Sequence, residues 1–347
     1  MTRSPSILVG ECGGRVARSG RPYVFIVDPL ETLVPQHDTS VALMEAAQLA
    51  HHRVLVTELR GLSIREGRAV ARCTEVRLTP AVLTDRHWVS ESDWFNRGPV
   101  EDIILDHAAA VFMRTDPPVD ANYLRATYIL DYVDARRTLM VNAPAALRDA
   151  NEKMFSLRLP HLGPSTVVTA DTDDIVRSVR RWGAGVLKPT DGMGGRGVMM
   201  LRPADPNLHS IIDSATLSGG RQVIVQQYLP AVTEGDRRVI VLEGEPVGVI
   251  VRKAARDEFR CNMAVGASVH AGEVSSRDRE ICCELKPLLA ERSIHFAGID
   301  IIGGMLTEVN VTSPTGIREI DALCHTRVAE RVISWADAVI ATRIGVR

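Results

Sequence analysis

Three side chains that could hold a hard cation lie close together in Gly298-Ile-Asp-Ile-Ile-Gly-Gly-Met-Leu-Thr-Glu-Val-Asn310. Asp300 is flanked by isoleucines. A carboxylate inside an apolar strand is costly unless it is paired or bound to a metal. Glu308 and Asn310 are two apart, so on one strand they share a face. Asp300, Glu308 and Asn310 supply only oxygen ligands, which magnesium prefers. The segment reads as a hairpin about Gly303-Gly304, and its register decides whether the three can meet. A strict two-residue turn would set 299 opposite 308 and send the two acids to opposite faces. A three-residue loop with a bulge would set 300 opposite 308, and this bulged form is predicted. The alternative is an ordinary hairpin with its acids in solvent.

A second feature is the loop Asp191-Gly-Met-Gly-Gly-Arg-Gly197, between apolar β-type runs at 184–188 and 197–201. Glycines here would let backbone N–H groups approach an anion. The loop lacks the Gly-Lys-Ser/Thr of a P-loop and the strand–helix context of a dinucleotide fingerprint. Two readings stay open: a hairpin carrying glycines over phosphates, or a plain flexible hairpin. Lys188 ends the preceding run, where its cation could reach a phosphate in the loop. Arg237, Arg238, Arg252, Lys253, Arg256 and Arg260 crowd the region between the two features, with acids among them. A solvated charged face is the usual reading of such a cluster. Near phosphates, a few of these cations would neutralise charge developing in transfer.

The elements that must position these groups are readable in outline. A strand at 23–27, a helix from the cap Asp38 or Thr39 to Ala50, and a strand at 54–58 suggest a parallel α/β start. A strand at 110–114, a helix over 121–136 and a strand at 139–141 follow. The organisation changes after Asn142. Strands at 223–228, 238–242 and 247–251 are closely spaced and predict one antiparallel sheet. Helices are expected at 276–292 and 326–344. Residues 1–21 lack periodicity and read as a flexible extension.

Composition sets the limits. The 347 residues are 45% hydrophobic and 24% charged with a net charge of -2, which excludes a wholly disordered chain. No basic excess points to nucleic acid. No apolar run approaches the ~20 residues that span a bilayer, so neither nucleic acid nor membrane is an expected partner, and a cytoplasmic location is the default. Cysteines at 12, 73, 261, 282, 283 and 324 show no CxxC and no zinc spacing, so they read as reduced thiols. The histidines form no nucleophile motif, His107, His161 and His295 read as structural, and Ser313-Pro314 lacks a G-x-S-x-G elbow, which argues against a hydrolase.

Further motifs complete the pattern: Met113-Arg-Thr-Asp-Pro-Pro118, Ala126-Thr-Tyr-Ile-Leu130, Asn151-Glu-Lys-Met154, Leu187-Lys-Pro-Thr-Asp-Gly-Met-Gly-Gly195, Gln227-Tyr-Leu-Pro230, Gly235-Asp-Arg-Arg238 and Thr307 to Ile320. With these the chain resembles the bacterial glutathione synthetases of the ATP-grasp superfamily, from about Tyr23 to the last helix. The resemblance implies an α/β fold: an ATP-grasp fold with an N-terminal Rossmann-like (pre-ATP-grasp) domain. The implied units are the extension 1–21, the Rossmann-like domain 22–144, a small lid domain 145–220 and a central domain 221–347 with the metal site.

The resemblance also implies roles. Lys153 and Lys188 would bind ATP, with Gly194 and Gly195 in the loop over it. Gln226, Gln227, Tyr228 and Leu229 would form the hinge against adenine, and Asp236 would lie near the ribose. Arg238 would lie near the phosphates, with Arg252 and Arg260 as further catalytic cations. Asp300, Glu308 and Asn310 would hold two Mg2+ ions, with Mn2+ able to substitute. Arg114 would meet the carboxylate of the peptide substrate. Ser313, Thr315, Arg318 and Glu319, with Asn310, would line the peptide and acceptor site. The implied reaction joins γ-glutamylcysteine and glycine to give glutathione through an acyl phosphate, releasing ADP and phosphate, in a homotetramer. The glycine-rich loop and the segment 253–266 would act as lids. That second segment departs from the family pattern: Lys253-Ala-Ala-Arg-Asp257 stands where Pro and Gly are usual, and Cys261 and Ala267 stand where glycine is expected. An ATP-grasp ligase for another γ-glutamyl peptide or another amine is therefore an alternative, and a non-catalytic nucleotide-binding protein is a more remote one.

Overall fold

A computed structural model of the chain describes residues 20–345. Most of the predicted extension lies outside the described residues. Arg21 already belongs to the folded part, because its guanidinium donates to the carbonyls of Asp106 at 2.8 Å and Ala108 at 2.5 Å.

The N-terminal unit runs β1 (Tyr23–Ile26), α1 (Thr39–Leu49), β2 (Val54–Thr57), β3 (Leu62–Arg65), β4 (Arg68–Leu78), β5 (Val82–Thr84), β6 (His87–Val89), β7 (Phe95–Ile104), β8 (Ala110–Met113), α2 (Ala121–Leu130) and β9 (Leu139–Val141). Strands β2-β1-β8-β9 form a parallel core, and β4 joins β2 antiparallel with β3 and β7 beside it. The sequence reading had no account of this antiparallel extension. β1 is buried along its whole length, as a strand covered on both faces must be. Asp38 caps α1 by accepting from the Val41 N–H at 2.9 Å, as predicted. The helix expected over 121–136 stops at Leu130, because Asp106 captures the Asp134 N–H at 2.8 Å and the chain turns there.

α3 (Pro144–Asp149), Phe155 and Leu162 pack into the large core shared by both main units. The lid sheet then follows: β10 (Thr166–Thr169), α4 (Thr172–Trp182), β11 (Gly185–Pro189), β12 (Met199–Leu201), α5 (Leu208–Thr216) and β13 (Val223–Gln227), in the order β10-β13-β11-β12. Ile175, Val179, Leu187, Ile212 and Val225 make it a separate core. β13 thus departs from expectation. It pairs with β10 and β11, not with the strands after it, so the break between sheets falls between Gln227 and Asp236.

The central sheet holds β14 (Asp236–Leu242), β15 (Glu245–Lys253), β16 (Ser268–Ala271), β17 (Phe296–Ile302) and β18 (Met305–Asn310), in the order β16-β15-β14-β17-β18, with α6 (Ser276–Glu291), α7 (Ile317–Cys324) and α8 (Val328–Gly345). β17 and β18 settle the question of register. Asp300 opposes Glu308, as predicted, but the means differ. Gly303 and Gly304, both at positive φ, close a two-residue turn with Ile302 opposite Met305. The extra residue is Thr307, within β18. No helix among the described residues is long and apolar enough to cross a membrane.

α7 was not anticipated, and the residue joining it to α8 carries a pH dependence. Asp321 accepts from the Val328 N–H at 2.8 Å and from Thr326 Oγ1 at 2.9 Å. Burial pushes its carboxyl from 3.8 up to about 6. The folded state therefore holds a proton here that the unfolded chain releases, and stability falls as pH rises through that window. Asp321→Asn removes the fall: in urea titrations the variant should gain on the parent by about 2 kcal/mol between pH 4 and pH 7.

Candidate active site

The two antiparallel sheets enclose a cavity of about 310 Å³. Its floor is a ladder of charges laid across four strands. Arg252 of β15 opposes Asp236 of β14, Arg238 of β14 opposes Asp300 of β17, and Asp300 opposes Glu308 of β18. Asp236 and Arg238 are two apart, so strand geometry puts all five on one face. Arg238 grips Asp300 with two bonds, Nε to Oδ1 at 2.5 Å and Nη2 to Oδ2 at 3.0 Å. Arg252 Nη2 bridges both acids, at 2.5 Å from Asp236 Oδ2 and 3.0 Å from Asp300 Oδ1. Burial works to raise the Asp300 carboxyl, but the two guanidiniums hold it well below the usual range. Burial wins at Asp236, which is pushed up to about 6 although Arg252 pulls the other way. Asp236 Oδ1 is buried without a partner.

The roof comes from the lid. Lys188 Nζ on β11 donates to Gln226 Oε1 on β13 at 2.6 Å. Burial lowers its ammonium, against the attraction of Glu308 and Asp236. Lys153 Nζ donates to the Gly192 carbonyl and lies 3.8 Å from Glu308 Oε1. The 226–229 junction is held by backbone: the Gln227 N–H donates to Ser165 O at 2.8 Å and the Tyr228 N–H to Ala184 O at 3.1 Å. Gln226, Gln227, Tyr228 and Leu229 all line the cavity.

The glycine-rich loop meets the segment after β15. Arg260 Nη1 donates to Gly195 O at 3.0 Å, while Nη2 holds Glu258 at 2.5 Å. Gly195 has φ +76°, and a Cβ there would fall 2.6 Å from Asn262 Oδ1. Both the left-handed conformation and the close approach require glycine. Gly195→Ala should separate the two loops, with KM for ATP rising about tenfold in initial-rate assays and Tm nearly unchanged, since the strain falls in loops over the cavity and outside the hydrophobic cores. Gly194 is less constrained for space, with Ala264 Cβ at 3.6 Å.

Ser313 and Thr315 line the cavity as well, but Arg114, Arg318 and Glu319 stand outside its wall. Arg114 is 3% exposed. It supports the 313–315 turn from behind: Nη2 donates to Pro314 O at 3.0 Å, and Ser313 Oγ donates to the Arg114 carbonyl at 3.1 Å. Its Nη1 is buried without a partner. Arg318 and Glu319 open α7, which turns them toward the N-terminal unit. Arg318 Nη2 donates to Glu45 Oε2 at 2.7 Å, and Glu319 Oε1 lies 2.9 Å from His37 Nδ1. Sequence reasoning missed Glu152, Thr307 and Thr312, all in the cavity lining. Glu152 had a signal, since it stands inside the motif Asn151 to Met154.

The residues present fit a divalent cation shared with phosphate oxygens. Glu308 is held at the cavity floor, and no hydrogen bond reaches its carboxylate from the described residues. Burial pushes it up, which a cation would reverse. Asn310 Nδ2 donates to Gly298 O at 3.3 Å, leaving Oδ1 as a donor to a metal. Asp300 is largely engaged by its two arginines. Among the described residues no group of three or more His, Cys, Asp and Glu side chains is placed to hold a metal, so the set needs ligands from a substrate. Magnesium commonly binds through one or two carboxylates plus substrate phosphates.

Two sheets closing on a charged cleft, behind a parallel α/β unit, define an ATP-grasp ligase. The crystal structure of the D-cycloserine synthetase DcsG superposes with a TM-score of 0.60, covering 92% of this chain and 99% of that one at 15% identity. The ATP-grasp ligase PsnB complexed with its minimal precursor gives 0.58, covering 93% and 98% at 19% identity. The chain belongs to the prokaryotic glutathione synthetase family: residues 22–148 match the family's N-terminal domain and residues 152–325 its ATP-grasp domain. It is similar to the glutathione synthetases of Thermosynechococcus vestitus (51% identical over 90% of this chain and 98% of that protein) and of a Nostoc species (49% over 90% and 97%). The glutathione synthetase of Pseudomonas putida is 35% identical over 92% and 98%. This chain is an ATP-dependent ligase, and its fold family uses ATP with a divalent metal.

Proposed function

We propose that the chain joins the cysteinyl carboxylate of γ-glutamylcysteine to the amine of glycine, forming glutathione. The observation that carries this reading is the charge ladder from Arg252 to Glu308, facing Lys153 and Lys188 across one cavity. The dipeptide carboxylate attacks the γ-phosphorus of ATP, and the bond to ADP breaks. Glycine's amine then attacks the acyl carbon, loses a proton and expels phosphate. Lys153 and Lys188 neutralise the polyphosphate. Arg238 and Arg252, oriented in advance by Asp300 and Asp236, meet charge that spreads over the moving phosphoryl group. Glu308 and Asn310, with Asp300, would hold two Mg2+ ions, or Mn2+ in their place, which supply charge neutralisation at the phosphates. The glycine-rich loop and the Arg260 segment exclude water that would hydrolyse the acyl phosphate. Arg114 would support the site of a substrate carboxylate from behind, through Pro314 and Ser313.

Cys261 is one of the departures from the family pattern. Its Sγ packs 4.0 Å from Val232 O, beside the hinge, and burial raises its thiol. This departure from glycine is thus packed against the stretch that follows Leu229, and glycine is retained as the acceptor in the proposal. A homotetramer in the cytoplasm completes the proposal, and sedimentation would test the assembly. The deciding assay is ADP release from ATP, Mg2+ and γ-glutamylcysteine with glycine or a panel of other amines, with products weighed by mass spectrometry. Glutathione formed fastest with glycine supports the proposal. Faster ligation of another amine would leave only the ligase standing, and ATP binding without any turnover would favour a binding protein.

A further inference from the structure

The segment Asn151-Glu152-Lys153 ties together two parts of the site that lie in different sheets. Asn151 Nδ2 donates to Thr190 O at 2.9 Å, at the base of the glycine-rich loop. Lys153 reaches Gly192 in the same loop. Glu152, between them, faces the other way. Its Oε1 accepts three hydrogen bonds: from Val311 N at 2.9 Å, Thr312 N at 3.0 Å and Thr312 Oγ1 at 2.7 Å. Its carbonyl accepts from Val309 N at 3.0 Å. The backbone N–H groups of Val309, Val311 and Thr312 are thus all referred to one residue. Val311 and Thr312 are buried, so no water replaces a lost acceptor cheaply.

We propose that Glu152 is a positioning residue. Through one carboxylate oxygen it fixes the turn Val311–Ser313, and so sets Asn310 and Ser313 relative to the loop that Asn151 and Lys153 hold. The proposal rests on the substrate reading above only for its kinetic arm. The lid joins the central sheet through the short stretch between Gln227 and Asp236, whereas the 151–153 segment is flanked by Ala150 and Phe155 of the main core. It can therefore serve as the fixed reference between the phosphate loop and the end of β18.

The test compares Glu152→Ala, Glu152→Gln and Thr312→Val in the full chain. Glutamine keeps an oxygen acceptor for the three donors, alanine keeps none, and valine at 312 removes one. With γ-glutamylcysteine varied, kcat/KM should fall at least about 30-fold in Glu152→Ala, recover to within about fivefold of the parent in Glu152→Gln, and lie between in Thr312→Val. The Kd for ADP by calorimetry should change less than about threefold, since no donor to Glu152 Oε1 belongs to the hinge or the lid. Amide exchange over 309–316 should quicken in the alanine variant and not in the glutamine variant. Unchanged exchange there, or unchanged kcat/KM, would overturn the proposal. So would equal loss of ADP affinity and dipeptide turnover with no rescue by glutamine, which marks a merely structural residue. A parent enzyme inactive on the dipeptide would refute the substrate reading alone, and the exchange measurement would then decide.

Discussion

Glu308→Gln should lower kcat by about 10³-fold or more while the protein folds and binds ADP. The substitution changes one oxygen to an amide and leaves the volume. Glu308 is the only carboxylate on the ladder without an arginine partner among the described residues, and its nearest cation is Lys153 at 3.8 Å. In the fold its charge is not needed for pairing, and burial works against it. Stability should therefore hold or rise slightly in Glu308→Gln, while activity collapses because a divalent cation loses its charged ligand. Single-turnover ADP formation and thermal unfolding on the same preparations check both halves. A variant that keeps a tenth of the parent rate would remove Glu308 from the metal site.

Arg252→Ala should damage fold and chemistry together. Arg252 is 3% exposed and bridges two carboxylates. Removing one partner of a buried ion pair costs about 3–5 kcal/mol, because the charge left behind is uncompensated. Asp236, already raised by burial, would rise further and take up a proton, and Asp300 would keep only Arg238. The rate should fall about 10³-fold, the scale of losing an oriented cation at a transferring phosphoryl group. Arg252→Lys should recover less than about tenfold, since one ammonium cannot present the planar fork that spans both acids. Urea unfolding and initial rates of all three proteins make the comparison. Full recovery with lysine would mean that charge alone, rather than the bridging geometry, is what the site needs.

Much of this site was legible in the sequence, and the rest was hidden for identifiable reasons. Asp300 and Glu308 were expected face to face because one extra residue had to be absorbed in the hairpin. Residue counting cannot say where, and the structure absorbs it at Thr307 instead of at the turn. β13 was assigned to the wrong sheet because spacing along the chain says nothing about partners, and its partners β10 and β11 precede it. Arg318 and Glu319 adjoin the cavity-lining turn in sequence. The unforeseen helix α7 rotates them toward Glu45 of α1 and His37 of the turn before it. Arg114 was expected at a substrate carboxylate, and its contacts with Pro314 and Ser313 behind the turn are ones that no motif encodes. Glu152 was inside a motif already noticed, but its role depends on backbone donors 159 and 160 residues away.

Thr307 has a consequence for how this hairpin can change length. The side of the sheet to which a strand residue points is a parity, and the bulge sets that parity for Glu308 and Asn310. A single-residue deletion between Gly303 and Thr307 that left the bulge intact would turn both away from the cleft. A two-residue insertion at the turn of the parent, adding one residue to each strand, would keep the phase and leave the ligands facing inward. Tolerated indels at the tip should therefore come in pairs, a rule that can be read in any deletion-scanning library without reference to chemistry.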